Sequence, residues 1–211
     1  MSAKKELRRT LRAALTGVSR AEVLEQSLRV QQRVQELVAS LPTATPAQPL
    51  KVGLYLGMTH QPEVDTDGLA RWFLGRGDSL YLPRCLPSAE PGTGLPSRPH
   101  LAFLPLASLA ALEALEPQGK YRLREPTASA EHITQLALRP SPLDVLIVPC
   151  VGFNPDTKAR IGWGAGYYDE FLSRYHRVHG RVPLLVGVCL EQQLSGSVVG
   201  DERDWAMDVV V

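Results

Sequence analysis

The most constraining feature of this chain is the stretch from Val145 to Leu172, which reads VLIVPCVGFNPDTKARIGWGAGYYDEFL. It opens with a short apolar run rich in β-branched residues, and such a run predicts a buried strand. Asn, Pro and Asp at positions 154–156 then predict a turn. Glycines follow at positions 162, 164 and 166, and from Tyr167 onward apolar residues recur at helical spacing. The predicted order is strand, loop, glycine-rich bend and helix start.

This order is suited to anion binding, because glycines let the backbone approach a ligand and the first amides of a helix lack intrahelical partners. Arg160 could add a bidentate contact to a phosphate or carboxylate, and Asp169 could hold Mg²⁺ beside bound phosphates. A tight turn in which the glycines serve packing alone explains a bare Gly-x-Gly-x-Gly equally well. The segment is neither a Walker loop nor the dinucleotide fingerprint, because Tyr167 stands at the position of the third glycine.

Composition narrows the functional class. The chain is 44% hydrophobic and 21% charged with a net charge of +1, so no global field favours nucleic acid or a membrane surface. Its cysteines, Cys85, Cys150 and Cys189, form no recognisable framework and are expected to be reduced thiols. The N-terminus lacks the apolar segment of a secretory signal, and no apolar run reaches the ~18 residues of a membrane span. These observations predict a cytoplasmic protein with neither nucleic-acid nor membrane partners.

Two helices are predicted at residues 3–41. The first is a basic amphipathic helix in which Lys4 and Arg8 lie four residues apart, so both side chains could reach one triphosphate. A solvated charged face is the alternative interpretation. Ser19 and Glu22 have the spacing of a capping box and predict the start of the second helix, which continues to about Leu41.

The remainder of the chain alternates strand and helix patterns. Apolar runs predict strands at residues 52–56, 80–83, 101–104, 145–148 and 183–190, and a helix is predicted at 67–74. The segments 42–49 and 88–99 are rich in turn-forming residues and predict a connector and a surface loop. We therefore expect one α/β domain over residues 1–211: a three-layer sandwich with a largely parallel sheet in residues 50–211 and an N-terminal helical arm.

The central stretch resembles the signature of the 5-formyltetrahydrofolate cyclo-ligase family, also called methenyltetrahydrofolate synthetases. The likeness lies in Pro-x-x-x-Phe at 149–153 and in Arg-Ile-Gly-x-Gly-x-Gly-Tyr-Tyr-Asp-x-Phe-Leu at 160–172. The family also has Lys-x-x-Leu-Arg near its N-terminus, matched at residues 4–8, Glu-Val-x-Thr, matched at 63–66, and an acidic closing segment, matched at 201–208. The resemblance implies ATP-dependent cyclisation of 5-formyltetrahydrofolate to 5,10-methenyltetrahydrofolate, with Mg²⁺ as cofactor and release of ADP and phosphate. We expect a monomer rather than an oligomer.

The resemblance also implies roles for individual residues. Arg160 and Tyr167 would act in catalysis, and Asp169 with Asp204 would bind Mg²⁺, with Asp208 as the alternative to Asp204. The implied ATP contacts are Lys4, Lys5, Glu6, Leu7, Arg8, Leu56, Arg160, Ile161, Gly162, Trp163, Gly164, Ala165, Gly166, Tyr167 and Tyr168. The implied folate contacts are Met58, Glu63, Trp163, Gly164, Ala165, Gly166 and Tyr167. The residues alone favour a different interpretation of Glu63, a solvent-exposed loop or helix-capping carboxylate.

One position departs from the family pattern. The family's motif usually reads Gly-x-Gly-Lys-Gly, and its Lys contacts the ATP phosphate, whereas this chain has Ala165 there. Lys158 and Lys5 are possible replacements. Loss of this cation keeps a second interpretation open, a relative that binds folate or nucleotide with weak or no cyclisation. A third class is a sugar-phosphate isomerase or acyl-CoA transferase on a similar fold, which would need a catalytic carboxylate and no nucleotide.

Overall fold

The computed structural model of the protein describes residues 3–41, 48–58, 60–119 and 121–211. Most of the predicted connector at 42–49 lies outside these ranges. The described residues form six α-helices and a short 3₁₀ helix at Glu191–Gln193. The α-helices are α1 (Ala3–Leu15), α2 (Arg20–Ala39), α3 (Asp67–Gly75), α4 (Leu109–Glu113), α5 (Ala130–Leu138) and α6 (Tyr167–His179). Within the described ranges, no helix combines the length and apolarity that crossing a membrane requires.

The strands form one central sheet and two small hairpins. They are β1 (Lys51–Gly53), β2 (Ser79–Leu86), β3 (His100–Leu106), β4 (Pro117–Gln118), β5 (Leu123–Arg124), β6 (Val145–Val148), β7 (Gly152–Phe153), β8 (Arg160–Ile161), β9 (Leu184–Gly187) and β10 (Val209–Val210). The central sheet has the order β10-β9-β6-β1-β2-β3. Every neighbouring pair is parallel except β2 with β3. The prediction of a largely parallel sheet is confirmed.

Helices cover both faces of this sheet. In β6, Val145 and Ile147 pack in one core cluster with α2 and α3, whereas Leu146 and Val148 pack in another with Phe171 of α6. A strand with both faces buried must be apolar throughout, which explains why residues 145–148 show no alternation with polar residues. Helix, sheet and helix therefore form the predicted three layers.

Local sequence signals place the ends of the helices. Ser19 caps α2 with the predicted capping box, since its hydroxyl accepts from Glu22 N and the Glu22 side chain accepts from Ser19 N. Helix α6 lies between two capping glycines, Gly166 and Gly180, both with positive φ (68° and 67°). Glycine is the residue that adopts this conformation without steric cost.

The structure corrects several strand boundaries. The strand predicted at 52–56 ends at Gly53, and Leu54–Leu56 are buried by core packing without belonging to a strand. Leu54 N still donates to Tyr81 O of β2 at 2.9 Å, and beyond Leu54 the apolar residues mark burial. Strand β2 runs on to Leu86, and the two-residue strands β7, β8 and β10 were not predicted because two residues carry no periodicity.

Candidate active site

The glycine bend, residues 162–166, joins β8 to α6. Gly164 and Gly166 have φ values of 107° and 68°, which L side chains rarely adopt. Gly166 is the N-cap of α6 and has no side chain to satisfy the first amides of the helix. These N–H groups and the positive end of the helix dipole are therefore available to an anion.

Each glycine of the bend lies against the guanidinium group of a different arginine. A β-carbon at Gly162 would stand 2.7 Å from Arg160 Nη1, one at Gly164 would stand 3.5 Å from Arg8 Cζ, and one at Gly166 would stand 3.5 Å from Arg98 Nη1. The arginines come from β8, from α1 and from the loop that precedes β3. Three cations from separate parts of the chain thus converge on a backbone with free amides, an arrangement that attracts a polyanion.

Helix α1 contributes one face to this arrangement. Arg8 Nε donates to Gly162 O at 2.7 Å, and Arg12 Cζ lies 4.8 Å from the centre of the Trp163 ring. Lys4 Nζ contacts Asp201 Oδ2 at 2.8 Å and Asp204 Oδ2 at 2.6 Å. These two hydrogen bonds raise the pKa of Lys4. The four-residue spacing of the three cations brings all of them to the side of α1 that meets the bend.

Arg160 is buried but only partly satisfied. It is 6% exposed, and its Nη2 donates to Asp169 Oδ2 at 2.7 Å. Asp169 Oδ1 accepts from Trp205 N at 3.2 Å, and the Arg160 guanidinium lies 5.6 Å from the centre of the Tyr168 ring. The buried Nε of Arg160 has no acceptor among the described residues. The side chain therefore retains hydrogen-bonding capacity beside the bend.

A cleft of about 660 Å³ opens beside the end of the bend. Gly166, Arg98, Asp169 and Asp204 line it, so both predicted metal ligands face one space. Asp208 lies elsewhere, because its Oδ2 accepts from Leu185 N at 2.8 Å next to the sheet.

The cleft could hold Mg²⁺ only together with ligands from the substrate and water. Across the described parts of the chain, no group of three or more His, Cys, Asp or Glu side chains could enclose a metal ion. Mg²⁺ is commonly held by one or two carboxylates together with substrate phosphates and waters. Asp169 and Asp204 fit that donor set, and both carboxylates are already hydrogen-bonded to cations.

A smaller cavity of about 250 Å³ adjoins the other part of the bend. Met58, Glu63 and Trp163 line it together with Arg12 and Cys150. Three residues that the resemblance assigns to folate thus share one cavity. Glu63 Oε2 accepts from Met58 N at 2.9 Å. Burial raises the pKa of Glu63 to about 7, against the opposing effect of the Met58 amide.

Other predicted contacts lie apart from both cavities. Leu56 and Ile161 are buried core residues, and Leu7 packs against the cluster that contains Ile161. Lys5 is exposed, and Glu6 Oε1 forms an ion pair with Arg9 Nη2 at 2.5 Å.

The remaining predicted residues near the bend also differ in how far they are buried. Tyr168 packs edge to face against Phe103, and Tyr167 is half-buried beside the same core cluster. Burial raises the pKa of the Tyr167 phenol. Ala165 is exposed in the bend, and Lys158, in the left-handed region at φ 58°, is exposed in the β7–β8 hairpin.

Sequence reasoning missed several residues that the structure brings to the site: Arg12, Arg98, Gln193 and Asp201. The spacing of Arg12 from Arg8 was a usable signal, because residues four apart share a helix face. Asp201 stands three residues from the predicted Asp204. Arg98 lies in a loop rich in Pro, Gly and Ser, and nothing in its local pattern marks it.

Comparison with known proteins gives one consistent result. The family model described as the 5-formyltetrahydrofolate cyclo-ligase family matches residues 1–211. The 5-formyltetrahydrofolate cyclo-ligase of Saccharomyces cerevisiae is 34% identical over 215 residues, which cover 100% of this chain and 95% of the relative. The Mus musculus protein of the same name is 26% identical over 100% of this chain and 93% of its own length.

The fold agrees as well. A solved structure of a 5,10-methenyltetrahydrofolate synthetase from Mycoplasma pneumoniae superposes with a TM-score of 0.61 at 20% identity, covering 99% of this chain and 98% of the other. At this identity the likeness bears on the fold alone. Since the family model spans the chain and a relative is 34% identical along its whole length, the chain belongs to the 5-formyltetrahydrofolate cyclo-ligase family.

Proposed function

We propose that this protein catalyses the ATP- and Mg²⁺-dependent cyclisation of 5-formyltetrahydrofolate to 5,10-methenyltetrahydrofolate, with release of ADP and phosphate. Family membership supports the reaction. The observation that carries the proposal is the convergence of three guanidinium groups on the glycine bend, between a cleft and a smaller cavity. Two substrates that must react with each other need two neighbouring sites, and this bend adjoins both.

The chemistry explains why cations are required. The formamide oxygen of the folate is a poor leaving group. Transfer of the γ-phosphoryl group of ATP to that oxygen converts it into a good leaving group. N10 then attacks the formyl carbon, and phosphate departs. Phosphoryl transfer depends on positioning and charge neutralisation more than on a covalent nucleophile. Cations and backbone amides at the bend meet that need.

We assign the triphosphate of ATP to the cleft. Lys4, Arg8 and Arg160 reach the glycine bend or its acidic neighbours, and the first amides of α6 begin there. Asp169 and Asp204 would hold Mg²⁺, which would neutralise charge on the phosphates. A volume of about 660 Å³ lies within the ~300–1,000 Å³ usual for ligand sites.

We assign the pterin end of the folate to the smaller cavity. The Glu63 carboxylate can accept paired hydrogen bonds from the amino-pyrimidinone edge, and Trp163 offers a flat apolar face. The cavity volume of about 250 Å³ is below the usual ~300–1,000 Å³, so it admits only part of the substrate. The formyl group would then lie toward the bend, where the phosphoryl group is transferred.

Ala165 supports a second candidate, a folate- or nucleotide-binding relative that cyclises weakly or not at all. Its methyl group is exposed in the bend and carries no charge. Family membership leaves the sugar-phosphate isomerase and acyl-CoA transferase interpretation without support. A monomeric state, a cytoplasmic location and the lack of nucleic-acid or membrane partners stay predictions.

The test is the absorbance of the methenyl-folate band after the protein is mixed with ATP, Mg²⁺ and 5-formyltetrahydrofolate. We expect the band to rise in the complete mixture and to stay flat when ATP or Mg²⁺ is omitted. A flat trace in the complete mixture, with calorimetric binding of ATP and folate intact, would favour the binding-only candidate.

A further inference from the structure

The cations beside the cleft are not equally free to meet a phosphate. Lys4 is held by Asp201 and Asp204, and Arg160 is held by Asp169. Arg8 donates to a backbone carbonyl of the bend. The lining of the cleft itself is rich in carboxylates, which repel an incoming triphosphate. A cation that neither a carboxylate nor a backbone carbonyl holds is therefore the one best able to bind the transferring group.

Arg98 is such a cation. It lines the cleft with Asp169 and Asp204, and its Nη1 approaches Gly166 at the start of α6. Its side chain makes no hydrogen bond or ion pair with any residue in the described ranges. Arg203 also lines the cleft, but its side chain is 92% exposed and its Nε lies 3.8 Å from Asp201 Oδ1.

The backbone around Arg98 is anchored although the side chain is exposed. Arg98 O is 3.1 Å from Nδ1 of the buried His100, the first residue of β3. Leu101 O, one residue further, accepts from Arg174 Nη2 of α6 at 2.6 Å. The start of β3 is thus tied to the helix whose N-terminus faces the cleft, and the backbone of Arg98 lies close to this tie.

We propose that Arg98 supplies the cation that contacts the transferring γ-phosphoryl group, next to Ala165, whose side chain supplies none. The inference rests on the proposed function. In the transfer, the formamide oxygen forms a bond to the γ-phosphorus, and the bond from that phosphorus to the β–γ bridging oxygen breaks. ADP keeps the electron pair. Arg98 stays protonated and donates hydrogen bonds to the equatorial oxygens, where negative charge is spread in the transition state.

The first experiment compares cyclisation kinetics of Arg98→Ala, Arg98→Lys and the control Arg203→Ala, which removes the same charge from the rim of the same cleft. We expect kcat of Arg98→Ala to fall on the order of 100-fold with little change in the folate KM, because the contact is made in the transition state. Arg98→Lys should recover part of the rate. Arg203→Ala should lose less than about threefold, since exposed charges are screened. Thermal unfolding should be unchanged in all three.

The second experiment adds Ala165→Lys to the wild type and to Arg98→Ala. We expect a clear rate increase in Arg98→Ala and little or none in the wild type, because both side chains would serve the same oxygens. If Ala165→Lys raised the rate equally in the wild type and in Arg98→Ala, the proposed role of Arg98 would be overturned. A rate of Arg98→Ala no lower than that of Arg203→Ala would overturn it too. If the wild type is active and Arg98→Ala is equally active, only the role of Arg98 is rejected. If the wild type binds both substrates and forms no product, the proposed cyclisation is rejected as well.

Discussion

Helix α6 takes part in two arginine–carboxylate pairs that differ in how completely they are satisfied. Arg174 is 3% exposed and makes two hydrogen bonds to Glu170, at 3.1 and 3.0 Å. It also donates to the carbonyls of Leu101 and Ala137. This guanidinium ties α6 to β3 and α5, and every one of its nitrogens has an acceptor.

Arg160 is nearly as buried but makes one hydrogen bond to Asp169, and its Nε has no described acceptor. A buried donor without an acceptor costs about 1–3 kcal/mol. Two pairs of similar burial thus differ in how many hydrogen bonds they make, so burial alone does not indicate the role of an ion pair in this protein. The saturated pair, Arg174–Glu170, is structural, and we propose that the unsaturated pair, Arg160–Asp169, keeps donors for a ligand beside the glycine bend.

The largest effect should come from breaking the saturated pair. Arg174→Leu leaves Glu170 as an uncompensated buried charge, so the free energy of unfolding should fall by about 3–5 kcal/mol. Urea denaturation measures it, as a lower midpoint at constant slope. The double variant with Glu170→Leu should regain part of the loss, because no buried charge remains. A loss under about 1 kcal/mol, the range of exposed pairs, would show that the pair is not structural.

The same comparison extends to Glu63, a partly buried residue whose carboxylate accepts one hydrogen bond from the described residues, that of Met58 N. If its free capacity serves the folate, Glu63→Gln should weaken 5-formyltetrahydrofolate binding by about 1.5–3 kcal/mol and leave ATP affinity unchanged. Calorimetry with each substrate separately measures both. A fall in ATP affinity instead of folate affinity would reverse the assignment of the cavities.

Glu63 also predicts a pH dependence, because its pKa is raised from 4.5 to about 7. Only the ionised carboxylate accepts with both oxygens, so wild-type folate affinity should rise as the pH increases through about 7. The folded state retains a proton that the unfolded state releases, so this group should lower wild-type stability as the pH rises from 4.5 to about 7. Glu63→Gln should lack both trends, and a Glu63→Gln profile parallel to the wild type would reject the raised pKa.

The smallest effect on stability should come from Arg160→Ala. It removes one ion-pair hydrogen bond but also one buried donor without an acceptor, and these changes oppose each other. Asp169 keeps its bond from Trp205 N. The free energy of unfolding should therefore stay within about 1 kcal/mol of the wild type in the same urea experiment. A loss as large as that of Arg174→Leu would show that both pairs are structural.

The sequence was sufficient for the architecture wherever the signals were local. The helical stripe of α1, the capping box at Ser19 and the apolar run of β6 each predicted their elements. The glycines at 162–166 predicted a bend before a helix, because their spacing reflects a local backbone requirement. These features depend on residues close together in the chain.

The features that the sequence could not predict depend on contacts between residues far apart in the chain. No local pattern could show that Arg98 approaches Gly166, since the strand pairing of β2 with β3 decides where that loop ends. Asp208 was the alternative to Asp204 as a metal ligand, and only the structure shows that its carboxylate accepts from Leu185 N beside the sheet. The sequence could not show that Arg174 is fully hydrogen-bonded and that Arg160 is not, because hydrogen-bond acceptors for these side chains come from distant parts of the chain.

The role of Arg160 in nucleotide binding is tested most directly by a calorimetric titration of ATP with Mg²⁺ into the wild type and into Arg160→Ala. If the unsaturated guanidinium binds the nucleotide, Arg160→Ala should bind ATP about 10- to 100-fold more weakly, as expected for a lost hydrogen bond to a charged group. Its folding should stay intact in the urea experiment. Wild-type ATP affinity in a folded Arg160→Ala protein would contradict the account.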